Sequence, residues 1–354
     1  MWTRTRLTER LGIELPIVLA PLAGGPGTPA LAAAVSEAGG LGTLGVGYLS
    51  PEKMRDAILQ ARRLTGKPFG VGLFVPAPAD PTAGIGEAVD ALRPFFSEVG
   101  IEQTPDVTNA QQDFDEQLQV VLDEQVPVVS FTFGVPDRAA VAALKEIGAV
   151  VIATATTVAE GVALADAGVD VVCAQGAEAG GHRGSFLREN SSDMIGLAAL
   201  TPQLADTLSV PVIAAGGLMD GRGIVAALAL GASAAQLGTA FLLCPEAGTS
   251  EPYRHALTGA APDNTVITEA FSGKPARGLR NRFTDTMAGH GGLPPYPVMN
   301  ELTREMRLRA AAEGNSELLS LWAGQGAPLC RQLPAGELIH ALKTEADSVL
   351  RSLS

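Results

Sequence analysis

Residues 211–241, PVIAAGGLMDGRGIVAALALGASAAQLGTAF, contain two apolar runs separated by one helical stretch. The runs Pro211–Gly217 and Ala234–Phe241 are short and rich in Val, Ile, Leu and Ala, which is typical of strands buried on both faces of a parallel sheet. Between them, Gly221–Leu230 has helical spacing. The segment therefore predicts two neighbouring parallel strands joined by a crossover helix.

The same alternation continues towards the N-terminus. Six more apolar runs bounded by Gly or Pro are Pro16–Ala20, Leu41–Val46, Phe69–Val75, Val126–Phe133, Ala149–Thr156 and Val169–Gly176. The other helical stretches are Pro29–Ala38, Glu52–Leu64, Gln111–Glu124, Asp137–Ile147, Val158–Ala167 and Met194–Thr207. Asp137 and Asp220 are predicted N-caps, and Gly148, Gly168 and Gly231 follow helices where a left-handed residue is favoured. Eight strands in alternation with helices predict an α/β fold, a (β/α)8 TIM barrel, with an open doubly wound sheet as the alternative.

Two segments exceed a minimal barrel. The connection Pro76–Ala110 is long and rich in Pro, Asp and Gly, and we expect it to be a loop on the active-site face. Residues 244–320 follow the eighth strand and are rich in turns, which predicts a smaller cap domain over the barrel mouth. We therefore expect a barrel at residues 1–243, a cap at 244–320, and a C-terminal segment at 321–354 that packs back on the barrel through a helix.

Composition and charge exclude several classes of protein. Of the 354 residues, 46% are hydrophobic and 18% charged, so the chain can bury a substantial core and is not intrinsically disordered. Its net charge of −13 disfavours nucleic acid and anionic membrane surfaces as partners. Cys173, Cys244 and Cys330 stand too far apart in sequence to indicate a disulfide framework or a metal site. Without an apolar signal segment or a run of 18 apolar residues, we expect a cytoplasmic protein, monomeric or homodimeric.

The last two predicted strands end in small residues. Gly216 and Gly217 follow the seventh strand, and Gln236-Leu237-Gly238-Thr239 end the eighth. In a barrel these strand ends are neighbours, and the loops after them often bind phosphate through backbone N–H groups. We predict a phosphate site there. The alternative is that the two glycines only permit a tight turn.

A second glycine pattern carries no such prediction. Gly40-Leu41-Gly42-Thr43-Leu44-Gly45 matches the dinucleotide-binding fingerprint G-x-G-x-x-G. These glycines lie before and within an apolar run, however, and not in a turn between a strand and a helix. We interpret them as residues that permit tight packing in the barrel.

The segment Cys173–Phe186, CAQGAEAGGHRGSF, leaves the sixth strand and contains one histidine, His182. Catalytic residues concentrate at the carboxyl ends of barrel strands, and an imidazole is suited to proton transfer near neutral pH. His182 is therefore the candidate catalytic residue, and the alternative is a loop histidine with a structural hydrogen bond. No G-x-S-x-G motif supports nucleophilic hydrolysis, and we interpret Glu178 as a loop carboxylate.

At these residues the chain resembles the nitronate monooxygenases, formerly called 2-nitropropane dioxygenases, which are FMN-dependent barrel enzymes. The resemblance spans most of the chain, and AQGAEAGGHRG at 174–184 is its most specific part. Further motifs that carry it are PIVLAPLAGGPGTPALAAAVSEAGGLGTLGVGYLSPE at 16–52, KPFGVGLFVP at 67–76, PVIAAGGLMDGRGIVAALALGASAAQLGTAFL at 211–242, FSGKPARGLRNRF at 271–283 and WAGQGAP at 322–328.

The resemblance implies FMN as the cofactor, with its ring across the barrel mouth near His182. The residues it assigns to the flavin are Ala20, Pro21, Leu22, Gly72, Gln175 and Gly180, and those it assigns to the phosphate cradle are Gly216, Gly217, Gln236, Leu237, Gly238 and Thr239. No metal is implied. Two positions depart from the family pattern, because this chain has Leu22 where Met is usual and Gly72 where Asn is usual. The second change removes a side chain that hydrogen-bonds the flavin.

The resemblance also implies a reaction in which an alkyl nitronate gives an electron to FMN and dioxygen then reacts, yielding a carbonyl compound and nitrite. His182 would act as a general base if neutral nitroalkanes are substrates, or would hold the nitro oxygens if only nitronates are. Lys274 and Arg277 are candidates for neutralising an anionic substrate. Two alternatives stay open, an FMN- and NADH-dependent enoyl-thioester reductase and a non-catalytic flavin-binding protein.

Overall fold

The computed structural model describes residues 2–76, 84–108, 110–188 and 194–353. Eight parallel strands form one sheet: β1 (Ile17–Leu19), β2 (Gly42–Gly45), β3 (Phe69–Phe74), β4 (Val128–Thr132), β5 (Val150–Ala155), β6 (Val171–Gln175), β8 (Val212–Ala215) and β9 (Ala234–Leu237). Their order is β1-β9-β8-β6-β5-β4-β3-β2. Leu41, just before β2, bridges to β1, since its N–H donates to the Ile17 carbonyl and its carbonyl accepts from Leu19, both at 2.9 Å. This bridge joins the two ends of the sheet, so the predicted barrel is confirmed.

Helices cover the outside of the barrel, as predicted. They are α2 (Pro29–Glu37), α3 (Pro51–Leu64), α5 (Phe114–Asp123), α6 (Arg138–Glu146), α7 (Val158–Asp166), α8 (Leu197–Thr207) and α9 (Gly221–Ala229). The predicted N-caps are confirmed, because the side chains of Asp137 and Asp220 accept hydrogen bonds from the first turns of α6 and α9. Gly148, Gly168 and Gly231 have positive φ after their helices, as predicted.

The amino-terminal end of the barrel is closed by a helix that was not predicted, α1 (Arg6–Leu11). Leu7 and Leu11 of α1 pack into an apolar cluster with inward-facing strand residues such as Val128. Asp170 anchors this helix: its carboxylate pairs with Arg10 at 2.5 Å and accepts a hydrogen bond from the Val151 N–H. The opposite end, where the strands finish, is left for the functional site.

A second apolar cluster, called the cap below, lies over the carboxyl end of the barrel. It is built from α10 (Glu251–Thr258), α11 (Arg282–Thr286), α12 (Val298–Leu302) and α13 (Arg304–Ala312), together with α4 (Ile85–Glu98) from the connection after β3. The prediction that Pro76–Ala110 is a loop on the active-site face is wrong for Ile85–Glu98, because these residues form α4 and bury Leu92, Phe95 and Phe96 in this cluster. Residues 77–83 and 109 of that connection lie outside the described residues. The predicted domain boundaries stay a prediction.

A small sheet and a C-terminal helix complete the fold. β7 (Gly181–His182), β10 (Thr265–Thr268) and β11 (Ala276–Leu279) form a small antiparallel sheet in the order β10-β11-β7. The last helix, α14 (Ala335–Leu353), packs against α9 and α2 through Leu338, Ile339 and Leu342. Over the described ranges, no helix is long and apolar enough to cross a membrane.

Candidate functional site

A cavity of about 1160 Å³ lies where the barrel strands end and the cap begins. This is the face on which barrel enzymes carry their active sites. The residues predicted from the sequence that line it are Ala20, Pro21, Leu22, Gly72, Gln175, Gly180, His182, Gly216, Gly217, Gln236, Gly238 and Thr239. Leu237 differs, because its side chain is buried in the core between the barrel and its helices. Leu237 does not line the cavity, and its carbonyl accepts a hydrogen bond from the Ala20 N–H at 2.9 Å.

The glycines after β8 and β9 present backbone donors to the cavity. The N–H groups of Gly217 and Gly238 donate to no acceptor among the described residues. Gly217 has φ +67°, and a Cβ on Gly238 would lie 3.3 Å from the Ala20 Cβ, so side chains are disfavoured at both positions. Thr239 begins a short 3-10 helix and accepts a hydrogen bond from the Gly324 N–H at 3.0 Å. Two neighbouring loops with unpaired N–H groups can bind a phosphate.

Steric crowding explains why position 72 has glycine and no side chain. A Cβ at Gly72 would lie 2.4 Å from the Cβ of Pro21, a separation that real atoms do not adopt. Pro21, two residues after β1, therefore fills the space that a side chain at position 72 of β3 would need. Any hydrogen bond at this point of the cavity must come from the backbone or from another residue.

Gln175 at the end of β6 fixes the loop that carries His182. Its side-chain Nε2 donates to the His182 carbonyl at 2.9 Å, and its Oε1 accepts from the Gly184 N–H at 2.8 Å. On the other side, Gly181 and His182 pair with Arg277 and Ala276 of β11. The loop is thus held between the barrel and the cap, and the Gln175 amide is used at both ends.

A buried carboxylate anchors the same loop further along. Glu160 of α7 is 1% exposed and accepts hydrogen bonds from the Phe186 N–H at 2.8 Å and the Leu187 N–H at 3.2 Å. It also accepts from the backbone and hydroxyl of Thr156. Arg183, next to His182, donates to the carbonyl oxygens of Thr156 and Gln175. These contacts leave His182 little backbone freedom.

The imidazole of His182 is surrounded by aromatic rings and one hydroxyl. The rings of Phe133, Tyr296 and Trp322 lie 5.8, 5.7 and 5.4 Å from it, centroid to centroid. Its Nε2 lies 2.8 Å from the Oγ of the fully buried Ser272. Since the Ser272 hydroxyl donates to the Lys274 carbonyl at 3.2 Å, its oxygen is the acceptor for Nε2–H. This assigns the proton of neutral His182 to Nε2 and leaves the lone pair on Nδ1.

Burial among these groups keeps His182 neutral. Desolvation is the largest cause, and the cations Lys274 and Arg307 add to it, so that the pKa of His182 is lowered to about 3. A neutral imidazole can accept a proton at neutral pH, but it contributes no positive charge to the site.

Positive charge in the cavity comes from other residues. Lys274 is 5% exposed, with its ammonium 3.2 Å from the Ser185 carbonyl and 5.1 Å from the Phe133 ring centre. Arg307 of α13 also lines the cavity, where its guanidinium donates to the backbone and side-chain oxygens of Asn300 at 2.8 and 3.0 Å. Of the two cations predicted from the sequence, Lys274 lines the cavity, whereas Arg277 points elsewhere and donates to the Ala177 carbonyl.

The balance of charge around the cavity is opposite to that of the whole chain. Its described lining holds four basic residues, Lys53, Lys274, Arg304 and Arg307, and one acidic residue, Glu301, which pairs with Arg304 at 3.0 Å. The chain as a whole carries −13. A cavity that is positive within an acidic protein favours small anions over neutral ligands.

Several cavity residues were not predicted. Tyr48 and Tyr296 hydrogen-bond to each other, and burial raises the pKa of both phenols, so they stay protonated. Arg307 also lines the cavity, and Ser272 contacts His182, so that these four residues come from four separate segments of the chain. The Tyr296-Pro297 pair in the turn GHGGLPPYP was the one local signal, and it indicates only a turn.

Comparisons with known proteins agree with this geometry. A family model described as nitronate monooxygenase matches residues 4–345. A curated relative, "Probable nitronate monooxygenase" of Staphylococcus aureus strain MSSA476, is 42% identical over 99% of both chains. The chain belongs to the nitronate monooxygenase family. It is accordingly a flavin-dependent oxidoreductase.

Two solved structures resemble this chain over nearly its whole length. The nitroalkane oxidase of Streptomyces ansochromogenes has a TM-score of 0.93 and 43% identity, covering 98% of this chain and 99% of that one. FabK from Thermotoga maritima is less similar, with a TM-score of 0.78 and 34% identity over 99% and 98%. The cavity residues fit a flavin, because one cavity is lined both by Gly217 and Gly238, with their unpaired backbone donors, and by His182.

Proposed function

We propose that this nitronate monooxygenase family member binds FMN and oxidises alkyl nitronates with dioxygen to a carbonyl compound and nitrite. The observation that carries the proposal is that a neutral His182 and the cations Lys274 and Arg307 line the same cavity. When bound, FMN would supply the redox chemistry between the nitronate and dioxygen.

The cradle after β8 and β9 supports FMN as the form of flavin. The N–H groups of Gly217 and Gly238 and the Thr239 hydroxyl suit one phosphate group. Gly42 and Gly45 of the fingerprint-like run lie in β2, where a Cβ would be 1.8 Å from the Ala32 carbonyl oxygen or 2.3 Å from the Ala23 N. As interpreted from the sequence, these two glycines are packing residues and form no second phosphate site.

The flavin ring would lie over the strand ends near His182. We propose that Ala20, Pro21, Leu22 and Gly72 support it from below, and that Gly180 approaches it by backbone. Gln175 would hold the His182 loop through one amide N–H and one lone pair of Oε1, and the second N–H of its amide could donate to the ring.

Charge decides between the two forms of substrate. A nitronate is an anion, and Lys274 and Arg307 neutralise it without a proton transfer. A neutral nitroalkane must first lose its α-proton, and Nδ1 of His182 is the lone pair available for it. An imidazole whose pKa is lowered to about 3 is a weak base, so nitronates are expected to react faster than nitroalkanes.

The test is oxygen uptake and nitrite release by purified protein with ethyl nitronate, without reduced nicotinamide. Oxygen uptake with nitrite as a product supports the proposal, and its absence in flavin-loaded protein overturns it. Addition of NADH in place of the nitronate tests the enoyl-thioester reductase alternative, since only that activity requires NADH to reduce the flavin.

A further inference from the structure

We propose that an outer part of the cavity, along one face of α13, binds the alkyl chain of the substrate, so that medium-chain primary nitronates are preferred over ethyl nitronate. This inference rests on the proposed function, because it concerns the far end of the same substrate. The outer part is formed by Leu308, Ala311, Leu319 and Ser320, and it is called the chain site below.

One face of α13 forms the wall of this chain site. Arg304, Arg307, Leu308 and Ala311 all line the cavity, and their spacing of three, four and seven residues places them on the same side of the helix. Met306 lies on the opposite side and is fully buried in the cap core. The helix therefore separates the cap core from the cavity along its length.

The wall is continuous from the reaction centre to the surface. The Trp322 ring lies 5.4 Å from His182, and Ser320, two residues earlier in the chain, lines the same cavity. The Ser320 Oγ is 3.4 Å from an Arg307 guanidinium nitrogen, and Leu308 is the next residue of α13. The total volume of about 1160 Å³ lies above the roughly 300–1,000 Å³ of most ligand sites.

The chemistry of the chain site suits an uncharged chain. Leu308 is 60% exposed although it lines the cavity, and the methyl group of Ala311 lies one turn further along. Arg304 at this end is paired with Glu301 at 3.0 Å, and Arg307 is held by Asn300. An alkyl chain would cover Leu308 and remove apolar surface of both partners from water.

The experiment measures kcat/KM for the series of primary alkyl nitronates from ethyl to octyl. The inference predicts a rise of up to about fourfold for each added methylene, the factor equivalent to about 0.8 kcal/mol per buried CH₂, and then a plateau once the chain passes Leu308. A flat series with active ethyl nitronate would overturn the chain site and leave the proposed function standing. No turnover of any nitronate would overturn both.

Two variants locate the effect. Leu308→Glu is expected to lower the octyl-to-ethyl ratio of kcat/KM at least about tenfold, because a carboxylate replaces the apolar contact. The matched control is Leu64→Glu, an equally exposed leucine at the end of α3, 55% exposed and outside the cavity lining, which should keep the wild-type ratio. An unchanged ratio in Leu308→Glu, or an equal fall in both variants, would contradict the assignment. The wild-type series tests it even if the glutamate variant does not fold.

Discussion

Exchange of Ser272 for alanine tests how His182 is used. The Ser272 Oγ lies 2.8 Å from His182 Nε2 and donates to the Lys274 carbonyl at 3.2 Å, in a fully buried position. Alanine leaves the ring N–H and that carbonyl without this partner, and an unsatisfied buried polar group costs about 1–3 kcal/mol. If this free energy adds to the activation barrier of proton transfer, kcat/KM for nitroethane drops roughly five- to 160-fold. Ethyl nitronate needs no proton acceptor, so its kcat/KM is expected to change little.

The assay is oxygen consumption with nitroethane and with ethyl nitronate, alongside urea unfolding. Ser36→Ala is the matched control, because Ser36 is 1% exposed, donates to the Pro68 carbonyl at 2.8 Å and accepts from the Gly42 N–H at 3.0 Å. It should lose comparable stability without discriminating between the substrates. Equal losses on both substrates in Ser272→Ala would refute the assignment of Nδ1 as the proton acceptor.

Three further predictions concern the cofactor cradle, the histidine and the floor of the cavity. Gly217→Glu should yield protein without flavin absorbance, because its carboxylate would repel the phosphate. The control is Gly12→Glu, which has the same φ of +67° and open space around its Cβ, and this variant should keep the flavin absorbance. Flavin absorbance in Gly217→Glu would refute the phosphate site. Since the pKa of His182 is lowered to about 3, the unfolded chain binds its proton more readily, so stability is lost as pH falls from about 6.5 towards 3, by up to about 1.4 kcal/mol per pH unit. In urea unfolding at several pH values, the free energy of unfolding of His182→Gln should fall less steeply with falling pH than that of the wild type. An equal pH dependence in both proteins would show that His182 is not buried in its neutral form. Gly72→Asn should lower the free energy of unfolding by about 1–3 kcal/mol and lower the melting temperature, because its Cβ would lie 2.4 Å from the Pro21 Cβ. Adding Pro21→Gly to this variant should restore the melting temperature. A Gly72→Asn variant as stable as wild type would contradict the overlap.

The barrel was predictable because its strands are buried on both faces. Each apolar run appears as a strand, although the runs extend past the hydrogen-bonded part: Val126–Phe133 contains β4 at Val128–Thr132. One helix that was missed is α4, which begins at Ile85 after a segment rich in Pro and Gly and has Pro94 inside it. Its spacing of Leu92, Phe95 and Phe96 is helical, but turn-forming residues dominate the composition of the connection.

The site was predictable only where it adjoins a recognisable strand end. His182 and Gly217 follow runs whose place in the barrel is fixed by counting strands. Ser272, Tyr296 and Arg307 belong to the cap, where no periodic pattern indicates which residues turn inward. Their approach to His182 depends on tertiary contacts, such as the pairing of β7 with β11, that leave no local signal.

The most direct test of the account is an anaerobic absorbance titration of the flavin-loaded protein with ethyl nitronate. The account predicts that the nitronate alone reduces the flavin, that NADH leaves it oxidised, and that air restores the oxidised spectrum with release of nitrite. Reduction by NADH and none by the nitronate would contradict it.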